Sequence, residues 1–167
     1  MPENVILVDE NDNQIGVEEK LKAHREKKLH RAFSIFIFNK EEKMLLQKRA
    51  VTKYHSGELW TNTCCGHPRP RETIEVAAHR RLKEEMRFDC PLQEINILKY
   101  ETDLGNGLFE NEIDHILKGV YDETPKPDPN EAEACKWISP EELKKDISKN
   151  PDTYTYWFKL ALQKVIF

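Results

Sequence analysis

The chain has 167 residues, of which 38% are hydrophobic and 34% are charged, and its formal net charge is −4 at pH 7. This length suits one domain with a real core, and the acidic balance argues against a general partner of nucleic acids or anionic membranes. No apolar run approaches the roughly 20 residues of a membrane helix, and the first four residues do not resemble the start of a signal peptide.

Short strands and turns dominate the predicted N-terminal part of the chain. Residues 5–8 form a β-branched run that ends at a turn cluster, residues 9–13. Residues 18–24 are a short polar connector with some helical character. Further strands are predicted at residues 32–38, 44–49 and 60–63, with a turn at residues 39–43.

A helix and a long hairpin dominate the remainder. The clearest helix is residues 73–86, where apolar residues recur at helical spacing. Residues 95–102 and 108–121 are predicted as paired strands, joined by the turn Gly105-Asn106-Gly107. There follow a Pro-rich loop at 124–130, a strand at 134–138, a helix capped by residues 139–142 and a terminal helix at 154–167. This order predicts a mixed α/β sandwich in one domain.

The cysteines give information about the redox setting. The four are Cys64, Cys65, Cys90 and Cys135. They form neither a C-x-x-C pair nor a disulfide framework. A reduced, cytoplasmic setting is therefore the simplest interpretation, and it permits a reactive thiol.

One motif spans the predicted helix and the loop before it. Six residues match the pattern G-x5-E-x7-R-E-U-x-E-E-x-G-U, in which U is aliphatic: Gly66, Glu72, Arg80, Leu82, Glu84 and Glu85. This pattern is the Nudix box. Residues four apart share a helix face, so we expect Glu85 to lie beside Arg81, where its carboxylate can hold a divalent cation that bridges to a diphosphate. The alternative is a solvated, charged helix, and the six matched spacings together count against it.

Two positions depart from the Nudix box. Arg81 stands where the box has a glutamate, and Arg87 stands where it has a glycine. The first change removes a carboxylate from the group that assembles metals for hydrolysis and places a cation where a diphosphate could lie. It therefore favours an enzyme that grips a diphosphate without cleaving it.

A second motif is more specific. Residues 60–68 read W-T-N-T-C-C-G-H-P, and residues 110–112 read E-N-E. Together these motifs resemble the type I isopentenyl-diphosphate isomerases, and the resemblance extends from about Val5 to about Trp157. It implies a Nudix-type, mixed-sheet α/β/α sandwich in one domain, with an N-terminal extension (about 1–30), a core (31–140) and C-terminal helices (141–167). It also implies interconversion of isopentenyl and dimethylallyl diphosphate by a 1,3-allylic proton shift through a carbocation.

The resemblance also implies roles for individual residues. Cys65 and Glu112 match the catalytic cysteine and glutamate, and Tyr100 resembles the tyrosine that assists the glutamate. Five residues resemble the ligands of one divalent ion, Zn²⁺, Mn²⁺ or Mg²⁺: His24, His30, His67, Glu110 and Glu112. Independently of the resemblance, glutamates two apart on a strand point to one side, and such a His/Glu set suits borderline-to-hard ions.

The remaining implied roles concern the substrate. Glu85, with the backbone carbonyl of Cys65, resembles the site of an Mg²⁺ that is shared with the diphosphate. The cations that resemble diphosphate ligands are Lys20, Arg49, Lys53 and Arg81. Trp157 resembles the aromatic that faces the hydrocarbon tail.

Simpler interpretations stand beside these. A lone histidine is usually a surface or core residue, a free cysteine is commonly a small buried thiol, Trp157 could pack in the core, and the cations could be ordinary surface charge. Rival functions are a Nudix pyrophosphohydrolase and a non-catalytic Nudix-like binding module. We expect a monomer whose partner is a small-molecule diphosphate, with no nucleic acid or membrane partner.

Overall fold

A computed structural model describes residues 2–167 and shows one large mixed sheet with few helices. The strands within these residues are β1 (Asn4–Val8), β2 (Gln14–Glu19), β3 (His30–Phe38), β4 (Met44–Arg49), β5 (Trp60–Thr61), β6 (Cys64–Gly66), β7 (Leu92–Gly105), β8 (Leu108–Val120) and β9 (Ala132–Ile138). The α-helices are α1 (Lys20–Arg25), α2 (Ile74–Met86), α3 (Pro140–Lys149) and α4 (Tyr156–Ala161).

Strand β3 organises the sheet. It runs parallel to β8 from the pair His30↔Glu112 to the pair Phe38↔Val120, and antiparallel to β6, where Ser34 faces Cys65 across the strands. Strand β8 returns along β7 as a long antiparallel hairpin. Strand β4 pairs with β5 and β9. Residues 33–35 of β3 therefore lie between β6 and β8.

Helices cover both faces of the sheet. Successive side chains of β3 point to opposite faces, so each face of this strand packs against different helices. Phe33, Ile35 and Ile37 pack with the buried face of α2. Phe36 packs on the other side with residues of α3 and α4, including Leu143 and Phe158. The prediction of a mixed-sheet α/β/α sandwich is confirmed.

The start of helix α2 is fixed by its N-terminal cap, and its packing depends on a close contact with β6. Thr73 caps its N-terminus by accepting a hydrogen bond from the Val76 backbone at 3.2 Å. Beside the helix, a Cβ on Gly66 would lie 2.8 Å from Phe33 Cζ and 3.2 Å from Arg81 Cγ, so only glycine lets β6 approach the helix this closely. Helix α2 has 13 residues. Within residues 2–167, no helix is long and apolar enough to cross a membrane.

Several elements differ from the sequence prediction. Strand β2 was not predicted. The strand predicted at residues 60–63 is shorter, because β5 ends at Thr61, and β6, which begins at Cys64, was not predicted. Strand β7 is longer than the predicted residues 95–102. The predicted terminal helix is interrupted: α4 ends at Ala161, and a π-helical segment continues from Leu162 to Ile166.

Candidate active site

A pocket opens where α1, β6, β8 and α4 meet around the start of β3. It is lined by Lys20, Arg49, Lys53, Cys65, His67, Arg81, Glu85, Tyr100, Glu110, Glu112 and Trp157, together with neighbours. His24 and His30, which complete the predicted set, are fully buried and contact Glu110 and Glu112 at 3.5 and 3.1 Å respectively. The structure therefore brings all the predicted site residues together.

Strand register places the residues around Glu112. On one side β8 pairs Glu112 with Tyr100 of β7, and on the other side it pairs Glu112 with His30 of β3. The Tyr100 hydroxyl donates to Glu112 Oε2 at 3.0 Å. Glu112 Oε1 lies 3.1 Å from His30 Nε2 and 2.9 Å from His67 Nε2. Every oxygen of this buried carboxylate is thus held by named partners.

The two carboxylates of β8 differ in electrostatics. Burial opposes the ionised form of both, but hydrogen bonding, first of all with Glu110, lowers the pKa of Glu112 well below its usual value. Burial and repulsion from Glu112 raise the pKa of Glu110 well above its usual value. Ionising two adjacent buried carboxylates together costs much free energy unless a cation lies beside them.

The histidine tautomers fit a metal ion. His24 Nδ1 and His30 Nδ1 each lie 2.8 Å from a backbone carbonyl oxygen, of Lys20 and Lys28 respectively. Each Nδ1–H donates to that oxygen, so each Nε2 is left with its lone pair facing the site. Such orientation by a backbone acceptor is usual for metal-binding histidines.

Unsatisfied atoms support the same conclusion. Within residues 2–167, the buried atoms His24 Nε2 and Glu110 Oε2 have no hydrogen-bond partner, and they lie 3.5 Å apart. Two facing acceptors are unfavourable unless a cation lies between them. The ligand atoms of His24, His30, His67 and Glu112 all lie within 4.8 Å of one another, and so do those of His24, His55 and Glu110. This donor set fits a divalent ion.

His55 was missed by the sequence interpretation. It lies between β4 and β5, with its side chain 5% exposed and its Nε2 3.3 Å from Glu110 Oε1. Burial, with Arg49 nearby, lowers the pKa of His55 to about 2. The only signal in the sequence is its closeness to the predicted site residues Arg49 and Lys53.

Cys65 has a defined polar environment. Trp157 Nε1 donates to Cys65 Sγ at 3.2 Å, and the thiol lies 3.2 Å from Asn62 Oδ1. The Asn62 amide nitrogen donates to the carbonyl oxygens of Ile35 and Cys64 at 3.0 and 2.9 Å. The amide oxygen must therefore face Cys65 and accept from the thiol. Burial raises the pKa of Cys65 to about 12, which favours the thiol over the thiolate.

A second pair of polar residues lies behind Cys65. Ser34 Oγ is 3.6 Å from Cys65 Sγ and donates to Asp114 Oδ2 at 2.8 Å. Burial raises the pKa of Asp114 well above its usual value, and the charge of Glu112 adds to this shift. Neither residue of this pair was predicted from the sequence, although each is a polar residue inside an apolar strand segment.

The four predicted diphosphate-binding cations line the pocket, and three of them form ion pairs there. Lys20 Nζ lies 3.0 Å from Glu3 Oε2. Lys53 Nζ and Arg81 Nη2 lie 2.5 and 3.2 Å from Glu131 Oε2. Neither Glu3 nor Glu131 was singled out from the sequence. The pairs show that oxyanions fit against these cations.

Arg81 and Glu85 share a helix face, as their spacing predicts. Arg81 Nη2 lies 2.5 Å from Glu85 Oε1, and Gln47 Nε2 donates to Glu85 Oε2 at 2.8 Å. Glu85 belongs to neither of the two metal-capable groups found within residues 2–167. Arg49 lies 5.3 Å from the Trp157 ring, and its buried Nε has no partner in the part of the chain described.

Comparisons with known proteins agree with this geometry. The NUDIX domain family model matches residues 28–158. The chain is 51% identical over 166 residues to "Isopentenyl-diphosphate Delta-isomerase 1" of Aromatoleum aromaticum, covering 99% of this chain and 94% of that protein. It is 50% identical to "Isopentenyl-diphosphate Delta-isomerase 2" of Photorhabdus laumondii, covering 95% and 90%.

Solved structures show the same fold. A crystal structure of a protein from Deinococcus radiodurans superposes with a TM-score of 0.80 at 20% identity, covering 98% of this chain and 99% of that one. The MutT protein from Methanosarcina mazei superposes with a TM-score of 0.66 at 17% identity, covering 81% and 91%. The chain thus belongs to the NUDIX domain family and, within it, to the isopentenyl-diphosphate Delta-isomerases.

Proposed function

We propose that this pocket interconverts isopentenyl diphosphate and dimethylallyl diphosphate, with Cys65 and Glu112 as the proton-transferring pair. The observation that carries this assignment is their placement. Cys65 lies on β6 and Glu112 on β8, which flank β3 on its two edges, and both line the same pocket. An allylic proton shift needs an acid and a base at two different carbons, and this placement supplies them.

In the forward direction Glu112, assisted by Tyr100, protonates the terminal methylene carbon and leaves a tertiary carbocation. Cys65 then removes a proton from the carbon beside the carbinol carbon, and the double bond forms there. One proton is gained and one is lost, so the substrate keeps its composition and charge. In reverse the roles exchange: the thiol of Cys65 and the carboxylate of Glu112, the forms that their pKa shifts favour, are the forms that start reverse turnover.

We assign Trp157 to stabilising the carbocation. An indole face attracts a cation most strongly in a site that excludes water. Trp157 is 4% exposed, and its hydrogen bond to Cys65 fixes the ring next to the thiol that accepts the second proton.

One divalent ion, Zn²⁺, Mn²⁺ or Mg²⁺, would be held by His24, His30, His67, Glu110 and Glu112. It would supply positive charge that offsets two buried carboxylates and tunes the acidity of Glu112. These ligands come from both the N-terminal extension and the core, which supports one domain spanning residues 1–167.

The diphosphate group is bound by the protein and does not take part in the reaction. We assign its binding to Lys20, Arg49, Lys53 and Arg81, with an Mg²⁺ at Glu85 and the carbonyl of Cys65. The carboxylates of Glu3 and Glu131, which now pair with three of these cations, are the groups that phosphate oxygens would displace.

We also assign the protein to the cytoplasm as a monomer, with no nucleic acid or membrane partner; its four unpaired thiols support a reduced compartment.

A Nudix pyrophosphohydrolase is the rival function. Its metals need the box carboxylates, but here Arg81 pairs with Glu84 and Glu85 at 2.6 and 2.5 Å. The box therefore lacks the carboxylate that Arg81 replaces, and its Glu84 is paired with Arg81, which favours an enzyme that binds one Mg²⁺ at Glu85 and keeps the diphosphate intact.

The test is an assay of isopentenyl diphosphate with Mg²⁺ that follows both acid-labile allylic diphosphate and released phosphate. We expect allylic product without phosphate, and in D2O a deuterium label in the methyl group that replaces the methylene. Glu112→Gln, which keeps the size of the side chain, is the matched inactive control. Phosphate without isomer would identify a hydrolase, and saturable binding without either product would identify a binding module.

A further inference from the structure

His55 is a fourth histidine at the proposed metal site. Its side chain is 5% exposed, and its Nε2 lies 3.3 Å from Glu110 Oε1. Its Nδ1 lies 3.0 Å from Ser56 Oγ, so the other ring nitrogen is the one that faces the buried carboxylate. The ring centroid is 6.0 Å from that of His24. His55 thus presents a nitrogen to the same space as the predicted ligands.

Two overlapping groups of ligand atoms occupy this space. One group is His24, His30, His67 and Glu112, and the other is His24, His55 and Glu110; in each, the atoms lie within 4.8 Å of one another. His24 belongs to both groups. Its Nδ1 is committed to the Lys20 carbonyl oxygen, which leaves one lone pair, on Nε2.

One lone pair binds one ion. An ion bound to His24 through this lone pair therefore lies beside both groups, since each of them contains His24. Glu110, whose Oε2 lacks a hydrogen-bond partner within residues 2–167, belongs with His24 only in the group that also contains His55. A single ion that binds Glu110 and His24 therefore has the His55 ring beside it.

We propose that His55 is a sixth protein ligand of this ion. Four imidazoles and two carboxylates then fill a six-coordinate shell, which leaves no position for water or for the diphosphate. The ion acts through its charge and by joining chain segments, and the nitrogen-rich set favours Zn²⁺, Co²⁺ or Mn²⁺ over Mg²⁺, which prefers oxygen ligands. The inference rests on the proposed metal site but needs no turnover to test.

His55 also packs edge-on against Tyr54 and Trp157, with centroids 4.2 and 5.6 Å away. If His55 had only this packing role, replacing it would leave metal binding unchanged. The experiment must therefore measure the ion itself.

The experiment loads the full-length protein with Co²⁺ and records its visible spectrum and its affinity in competition with a chelator. For the unaltered protein we expect the weak bands of six-coordinate Co²⁺. His55→Ala should intensify these bands, because coordination falls to five, and should weaken binding by about tenfold or more, as loss of a supporting group already does. Added imidazole should restore the weak bands. Tyr54→Phe, which changes the neighbouring wall residue, is the matched control and should change neither reading.

Unchanged bands and affinity in a metal-loaded His55→Ala protein would overturn the proposal. If that variant does not fold, X-ray absorption of the unaltered protein decides the matter, because four imidazoles in the metal shell support the proposal and three contradict it. Failure of the isomerase assay with an intact six-ligand spectrum would count against the proposed function alone.

Discussion

At the scale of single residues, the two adjacent cysteines of β6 have opposite surroundings. Side chains alternate along a strand, so Cys64 points into the core beneath α2, with Ala77 and Leu82. Cys65 points into the pocket and contacts Trp157. The same dipeptide thus supplies one structural thiol and one that can reach substrate.

This alternation predicts unequal effects of replacing the two thiols. Cys65→Ser should lower kcat by at least ~1,000-fold, about 4 kcal/mol, because a hydroxyl is a far poorer base than a thiolate. Cys64→Ser should stay within about tenfold in kcat, roughly 1.4 kcal/mol, but should lower stability by about 1–2 kcal/mol, since it buries a hydroxyl in an apolar core. Steady-state kinetics and thermal melts of both variants check this. Equal losses of kcat would contradict the assignment of Cys65.

Sequence reasoning predicted which residues react but not the residues that support them. Motifs identify Cys65 and Glu112, whereas the partners of Cys65 become visible only in the folded sheet. Asn62 is fixed by the carbonyl of Ile35, 27 residues away, and Ser34 meets Asp114 at a separation of 80 residues. Contacts at such distances depend on strand register, which residue spacing does not contain.

At the scale of elements, helix α2 ends on an unfavourable residue. Arg87 caps it in the left-handed conformation, with φ of 59° and ψ of 31°. A side chain at this backbone conformation costs roughly 1 kcal/mol, which glycine avoids. This explains in physical terms why the Nudix box has glycine at the position of Arg87.

Arg87→Gly should therefore raise the free energy of unfolding by about 0.5–1 kcal/mol. The ion pair that would be lost, between Arg87 and Asp128, is 3.6 Å long, and the arginine side chain is 55% exposed, so it offsets little of the gain. Urea unfolding measures the change. Lys83→Gly, inside the same helix, is the control and should cost about 1 kcal/mol. Destabilisation by Arg87→Gly would mean that the arginine contacts outweigh the backbone strain.

The elements that the sequence predicted are those with a clear local signal. Helix α2 has regular apolar spacing, and the β7–β8 hairpin has a Gly105-Asn106-Gly107 turn in which all three residues have positive φ. Strand β2 has only two large apolar residues, Ile15 and Val17, and they are 68% and 43% exposed. It therefore has no buried apolar face that could mark it in the sequence. It is held by pairing with β1, and tertiary pairing overrides local pattern.

At the scale of the whole molecule, the proposed ion joins three segments of the chain. His24 lies on α1, His67 follows β6, and Glu110 lies on β8. Without a cation, the carboxylates of Glu110 and Glu112 lie buried against each other, at 3% and 5% exposure, and two such charges repel in a site of low dielectric constant. The ion should therefore contribute to folding as well as to the reaction.

Removal of the ion should lower the thermal midpoint as well as abolish turnover. An ion present at 100 times its Kd stabilises the native state by about 2.7 kcal/mol, which corresponds to about 5–10 °C for a chain of this size. Melts before and after chelation, with metal analysis of each sample, measure the shift. His30→Ala should already be destabilised and should respond little to the chelator. His115→Ala, which alters a buried histidine of β8 bonded to Asp12 and Glu94, should melt lower yet keep the full chelator response. A protein that loses its metal and melts unchanged would show that these ligands do not hold a stabilising ion.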